Sequence, residues 1–191
     1  MKNRSQKQKE LELSSIKKEE NVYTGPLLSL YKETLQLQNG NVVISDIVKH
    51  PGAVAILAIT PEEKVLLVKQ WRRAAKTILL ELPAGRLEKE EHPIDCAGRE
   101  LREETGFRAE TLIPLGGFYT APGFCDEYIH LFLAKDLVPD PLWAEDSDHI
   151  DLLTVSFEEI LGLSIQGEII DSKTLSALYL YQIWQASLRR S

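Results

Sequence analysis

Glu100, Glu103 and Glu104 are the first side chains in this chain that point to chemistry. They stand three and four residues apart, so on a helix they share one side. Like charges so placed destabilise an isolated helix by roughly a few tenths of a kcal/mol per pair. A hard divalent cation removes that repulsion, and Mg²⁺ binds through a few carboxylates, water and substrate phosphates. Arg99 and Arg102 are interleaved with the glutamates, so a neutralised, solvated helix face fits the same short pattern.

The wider spacing is more specific. Gly85 is followed after five residues by Glu91, and after seven more by Arg99-Glu100-Leu101-Arg102-Glu103-Glu104-Thr105-Gly106-Phe107. This resembles the Nudix hydrolase box, G-x5-E-x7-R-E-U-x-E-E-x-G-U, with an aromatic residue at the last apolar position. Seven specified residues at roughly 7% frequency each coincide by chance about once in 10⁸ starts. Gly85 suits a tight turn between strand and helix. Leu101 is expected to anchor the opposite helix face, and Arg99 to orient Glu91 or Glu103.

The resemblance implies a Mg²⁺-dependent hydrolase, with Mn²⁺ as the other candidate ion. It implies Glu100 and Glu104 as the main metal ligands, the backbone carbonyl of Ala84 as a further ligand, and Glu103 as a ligand or base. The box specifies a nucleoside diphosphate linked to another moiety. Pro122, sixteen residues after Gly106, resembles the marker of the ADP-ribose pyrophosphatase subfamily. A proline-glycine turn there is also plain loop geometry. Lys69-Gln70-Trp71-Arg72 and Glu81-Leu82-Pro83-Ala84-Gly85 resemble subfamily segments. Arg72 would there contact phosphate or terminal ribose through its planar fork. Trp71 is core packing, dimer packing or an adenine platform. Glu81 is a substrate-side group or a structural hydrogen-bond partner. The resemblance spans about residues 22–188.

Enzymes of the resembled subfamily often place a catalytic carboxylate on the loop before the penultimate strand. This implies a general base within Trp143–Ile150, at Asp146 or Glu145 with Asp148 as a further candidate, although a merely solvated acidic loop fits the same residues. Asp146 stands where relatives often carry Glu, one methylene longer. The expected reaction is hydrolysis of ADP-ribose to AMP and ribose 5-phosphate. GDP-mannose or ADP-glucose is the alternative substrate, and a non-catalytic ADP-ribose sensor is a remote one that the intact box argues against.

The elements that must position these groups follow from pattern. Residues 1–21 carry mixed charge and suggest a flexible tail or short surface helix. Residues 22–49 alternate around Asn39-Gly40, a strong hairpin signal, and form the expected N-terminal strand segment. In this family such strands commonly exchange across a homodimer, so a homodimer is expected. Residues 50–191 form the expected hydrolase domain. Within it, Ala53–Ile59 suggests a buried strand, with returns at Val65–Val68 and Ile78–Leu82. Pro93–Thr105 suggests a helix stopped by Gly106. Strands are expected at Leu112–Tyr119, Glu127–Ala134 and Leu152–Val155, with a loop over Leu137–Asp148. Ser156 and Glu159 form a capping box, and a last helix starts near Asp171. The order reads as α+β with mainly antiparallel pairing, and the resemblance implies a Nudix fold, a mixed sheet sandwiched between helices with N-terminal antiparallel strands for dimerisation.

Composition narrows the partners. The 191 residues carry 22 Lys and Arg against 29 Asp and Glu, a net charge of −7. That opposes general nucleic-acid binding, which needs a basic surface. Two cysteines, Cys96 and Cys125, are too few for a disulfide framework and fit a reducing compartment. The longest apolar run is far short of the ~20 residues a membrane helix needs. The N-terminus lacks the apolar region of a secretory signal, so a cytoplasmic location is expected. The four histidines show no H-x-x-x-H metal spacing.

Overall fold

The computed structural model describes residues 3–144 and 149–189. Its chain divides into two compact units, Met1–Pro51 with Ala121–Glu127, and Gly52–Thr120 with Tyr128–Ser191.

In the first unit, helix α1 (Arg4–Leu13) is capped by Asn3 and Gln6, which bond reciprocally to each other's backbone. Strands β1 (Ile16–Thr24), β2 (Ser29–Gln36) and β3 (Val42–Lys49) form an antiparallel sheet in that order. Helix α1 lies in the stretch read as a flexible tail or short surface helix, and the first strand starts at Ile16, ahead of Val22. Its Lys and Glu residues hid it, because they pair across strands: Lys17 meets Glu33, and Lys49 meets Glu19. Gly40 takes φ 87° in the β2–β3 turn, the left-handed conformation that asparagine-glycine signals. The segment 121–127 belongs to this unit, since Asp126 Oδ1 accepts from the His50 N–H at 2.8 Å.

The second unit holds β4 (Ala53–Ala58), β5 (Lys64–Arg72), β6 (Thr77–Glu81), β7 (Ala84–Arg86), α2 (Pro93–Thr105), β8 (Phe107–Tyr119), β9 (Tyr128–Pro139), β10 (Asp151–Ser156), α3 (Phe157–Gln166) and α4 (Ser172–Leu188). One sheet has the order β7-β4-β9-β8, with β4 parallel to β9 and the other pairs antiparallel. The other sheet is β10-β5-β6, all antiparallel.

Strand β4 is apolar at every position because it is buried on both faces. Val54, Ile56 and Ala58 pack with Cys96, Ala97 and Leu101 of α2. Ala55 and Leu57 pack with Ile160 of α3 and Ala177, Leu178 and Tyr181 of α4. The mixed sheet is therefore sandwiched between helices, as the family resemblance implies.

Both capping expectations hold. Ser156 and Glu159 cap α3 reciprocally, and Gly106 ends α2 with φ 75°. Three further strand boundaries differ from expectation by four residues or more, the first being β5, which runs to Arg72 rather than Val68. Strand β8 begins at Phe107 rather than Leu112, and β9 runs to Pro139, into the stretch read as loop. Phe107 pairs with Pro139, so the hairpin ladder continues through outward-facing polar residues such as Arg108 and Glu110. Polar side chains interrupt an apolar pattern without interrupting backbone pairing. No described helix is long and apolar enough to cross a membrane.

Candidate active site

Helix α2 carries the glutamates, and its register against β4 decides which way they point. Leu101 is fully buried against the sheet, which leaves Glu100, Glu103 and Glu104 half-buried on other sides of the helix. The short strand β7 runs beside them. The Ala84 N–H donates to Glu104 Oε2 at 2.9 Å. The Glu100 carboxylate lies directly over Gly85, where an added Cβ would fall 1.9 Å from its carboxyl carbon.

That contact corrects the role expected for Gly85. Gly85 is in a strand and is absent from the positive-φ residues, so no tight turn demands it. The glycine is needed because a carboxylate occupies the space of a side chain.

Arg99 ties the acidic side chains together. Its Nε and Nη2 donate to the two oxygens of Glu91, each at 2.9 Å. Its Nη1 donates to Glu100 at 2.7 Å and Glu103 at 3.1 Å, and Nη2 also reaches the Arg86 carbonyl at 3.2 Å. The hydrogen bonds from Arg99 hold the Glu91 carboxyl down to about 2. Arg99 is itself pushed further up, first by Glu91. Arg102 instead turns to Asp140, with Nε on its carbonyl at 3.1 Å.

Among the described residues, no three His, Cys, Asp or Glu side chains stand together as a ready metal cluster. The Arg99 guanidinium bridges Glu100 and Glu103 instead. The donor set still fits a hard divalent cation. Glu100 and Glu104 are one helical turn apart and both lie against β7, Glu100 in the space that the missing side chain of Gly85 leaves for it.

A second ionic group joins β5, β6 and α4. Glu81 is fully buried and accepts from Arg72 Nε at 2.8 Å and Nη2 at 2.6 Å. Lys173 binds the same carboxylate, and its Nζ donates to Asp171 Oδ1 at 2.9 Å. Burial pushes Glu81 up, but the hydrogen bonds from Arg72 and the charge of Lys173 outweigh it and leave the carboxyl below its ordinary range. Arg72 is held charged first by its bond to Glu81, with the fields of Glu104 and Asp171 adding to it. Arg72 therefore sits within the electrostatic reach of an α2 carboxylate.

The other expected site residues are placed differently. Trp71 is 58% exposed and, as a strand neighbour of Arg72, projects from the opposite face of β5. Its cross-strand partner is Ile78. Pro122 is exposed in the first unit, in a turn where the Phe124 N–H donates to the Ala121 carbonyl at 3.1 Å. Glu145, Asp146 and Asp148 lie outside the described residues. Asp151 opens β10 opposite Lys69, three residues before Arg72 on β5. Lys173, Asp171 and Thr174 form part of the buried group without having been singled out by chemistry. Their signal in the sequence is that Asp171 and Lys173-Thr174 resemble the subfamily's C-terminal layout.

Comparison with known proteins is consistent with this geometry. A family described as NUDIX domain matches residues 49–178. An ADP-ribose pyrophosphatase of Bacillus subtilis is 41% identical over 93% of this chain and 97% of its own length. A methanol dehydrogenase activator of Bacillus methanolicus is 40% identical, covering 88% of this chain and 92% of that protein. A GDP-mannose pyrophosphatase of Yersinia enterocolitica is 33% identical over 69% of this chain and 73% of its own. Among solved structures, an ADP compounds hydrolase superposes with a TM-score of 0.81 at 21% identity, covering 93% of this chain and 97% of that one.

Proposed function

The chain belongs to the Nudix family and is a hydrolase, and on that premise we propose that it cleaves the diphosphate of ADP-ribose to AMP and ribose 5-phosphate. The observation that carries the reading is the convergence of Glu100 and Glu104 on β7. Relatives named ADP-ribose pyrophosphatase support the substrate.

Glu100 and Glu104, with the Ala84 carbonyl, would hold the divalent cation, of which Mg²⁺ is the candidate. When bound, such an ion neutralises diphosphate charge and lowers the pKa of coordinated water. Arg72 binds the diphosphate or terminal ribose through the edge of its guanidinium that Glu81 leaves open. Water adds to one phosphorus, and the bridging oxygen leaves with the other phosphate. The proton passes to a carboxylate, either Glu103 or one of Glu145 and Asp146, which precede β10 in the sequence. Arg99 keeps Glu91 ionised and holds Glu91 and Glu103 in place. Trp71 and Pro122 belong to the proposed substrate contacts only through the sequence resemblance.

The test is a product assay with Mg²⁺ on ADP-ribose, ADP-glucose, GDP-mannose, NADH and an 8-oxo nucleotide. ADP-ribose is expected to lead by about tenfold or more in kcat/KM, with AMP released. A lead by GDP-mannose would move the assignment to the other nucleoside diphosphate sugars, a reading that relatives named GDP-mannose pyrophosphatase support. Homodimerisation through the N-terminal strands completes the proposal. In the first unit Val42 and Ile44 are 59% and 60% exposed on one face of β3. Sedimentation equilibrium showing a monomer at micromolar concentration would remove it.

A further inference from the structure

Glu81 and its partners form a closed chain of hydrogen bonds behind Arg72. Glu81 ends β6 and is fully buried. Lys173 donates to it and to Asp171. The other oxygen of Asp171 caps α4, accepting from the Thr174 N–H at 2.9 Å and the Thr174 hydroxyl at 2.6 Å. Thr174 Oγ1 in turn accepts from the Leu82 N–H at 2.9 Å, which returns the chain to the residue beside Glu81. The end of β6 and the start of α4 are locked to each other through these side chains.

Arg72 is the one member that faces outward, with its side chain 38% exposed. It is gripped through Nε and Nη2. Among the described residues Nη1 has no hydrogen-bond partner. The grip fixes the guanidinium plane only if the carboxylate plane is fixed. A glutamate carboxylate turns easily about its last bond, where torsional preferences are broad. Glu81 Oε2 receives both Arg72 Nη2 and Lys173, while Oε1 receives Arg72 Nε. The ammonium therefore sets the angle at which the carboxylate meets the guanidinium.

We propose that Lys173 is a positioning residue for Arg72: held by Asp171, it fixes the Glu81 carboxylate so that Arg72 presents Nη1 to the anionic part of a nucleoside diphosphate substrate. This rests on the proposed role of Arg72 in substrate binding. Lys173 touches no substrate and acts only through Glu81. The effect falls on binding, because Arg72 meets a diphosphate that is already charged in the ground state.

The experiment is a double-mutant cycle of K173M and R72Q. It uses whichever nucleoside diphosphate sugar the wild-type enzyme cleaves best, with folding checked by thermal melting. K173M is expected to raise KM about tenfold or more while changing kcat less than about threefold. In the R72Q background K173M should change KM no further, because the group it positions is gone. D171N keeps an acceptor for the α4 cap but removes the charge that holds Lys173. It should raise KM by a smaller factor, again only when Arg72 is present, and it serves if K173M fails to fold. A merely structural lysine would lower the folded, active fraction and hence apparent kcat, with KM unchanged. That result, or an equal KM increase in the R72Q background, overturns the proposal. A wild-type enzyme inactive on every nucleoside diphosphate sugar overturns the functional reading itself and takes this inference with it.

Discussion

Arg99 and Arg72 each gather carboxylates, but from very different distances along the chain. Arg99 collects Glu91, Glu100 and Glu103, all within thirteen residues. Arg72 holds Glu81, which is shared with Lys173, 92 residues away from it. The first cluster is local, partly hydrated, and sits on one helix and the loop before it. The second joins two strands to the start of another helix around a carboxylate with no exposure. A local cluster can change its geometry cheaply, which suits carboxylates that must accept a cation. A buried cluster resists change, which suits a group that must hold an arginine still.

The largest expected effect strikes the local cluster at its working carboxylate. E100Q should lower kcat by about a thousandfold, on the scale seen when a key electrostatic group is removed, with the melting temperature nearly unchanged. Near-normal turnover would break the assignment of Glu100. The buried cluster should respond the opposite way. E81Q leaves Arg72 and Lys173 without their shared anion and should cost about 3 kcal/mol of stability, at the low end for breaking a buried pair because Arg72 can hydrate. Chemical denaturation of E81Q reads this directly, and an unchanged midpoint would show that the buried group carries no stability.

G85A sharpens the contrast. An added methyl would fall 1.9 Å from the Glu100 carboxyl carbon, so the carboxylate must move. That carboxylate ends a flexible side chain, so stability should fall by less than about 1 kcal/mol. Activity should still fall about tenfold or more, because the moved group is a proposed metal ligand. Equal activity in G85A and wild type would show that Glu100 does not need this position.

The smallest effect concerns acid. Glu91 has its carboxyl lowered from 4.5 to about 2 by Arg99. A carboxyl depressed in the folded state contributes stability that is fully present above its unfolded pKa. That contribution is lost as pH falls from 4.5 toward 2. Because the pair is partly hydrated, the contribution is on the order of 1 kcal/mol. E91Q should be less stable than wild type at pH 7, with the gap closing as pH falls through that window. A gap that stays constant with pH would show that Arg99 does not hold Glu91 ionised.

Much of the fold was legible in local pattern. The doubly buried run at β4, the boundaries of α2, the Ser156 capping box and the Asn39-Gly40 turn depend on residues close in sequence. The extents of β1, β8 and β9 were not, because cross-strand pairing continues under charged, outward-facing side chains. In the site, helical period grouped Glu100, Glu103 and Glu104, and the resemblance of the wider spacing to the family box added Glu91 and Arg99. Sequence alone misjudged why Gly85 is a glycine, since the intruding atoms belong to a carboxylate fifteen positions away.

What this chain's sequence determined by itself is a carboxylate-bearing helix capped at Gly106 and the strands with a Ser156-capped helix that follow it. Their geometry follows from helical period and apolar alternation over short distances. What only the tertiary structure decided is the backing of Arg72. A buried carboxylate can accept two cations only when strand, strand and helix have brought them together, and no spacing in a linear chain encodes that meeting.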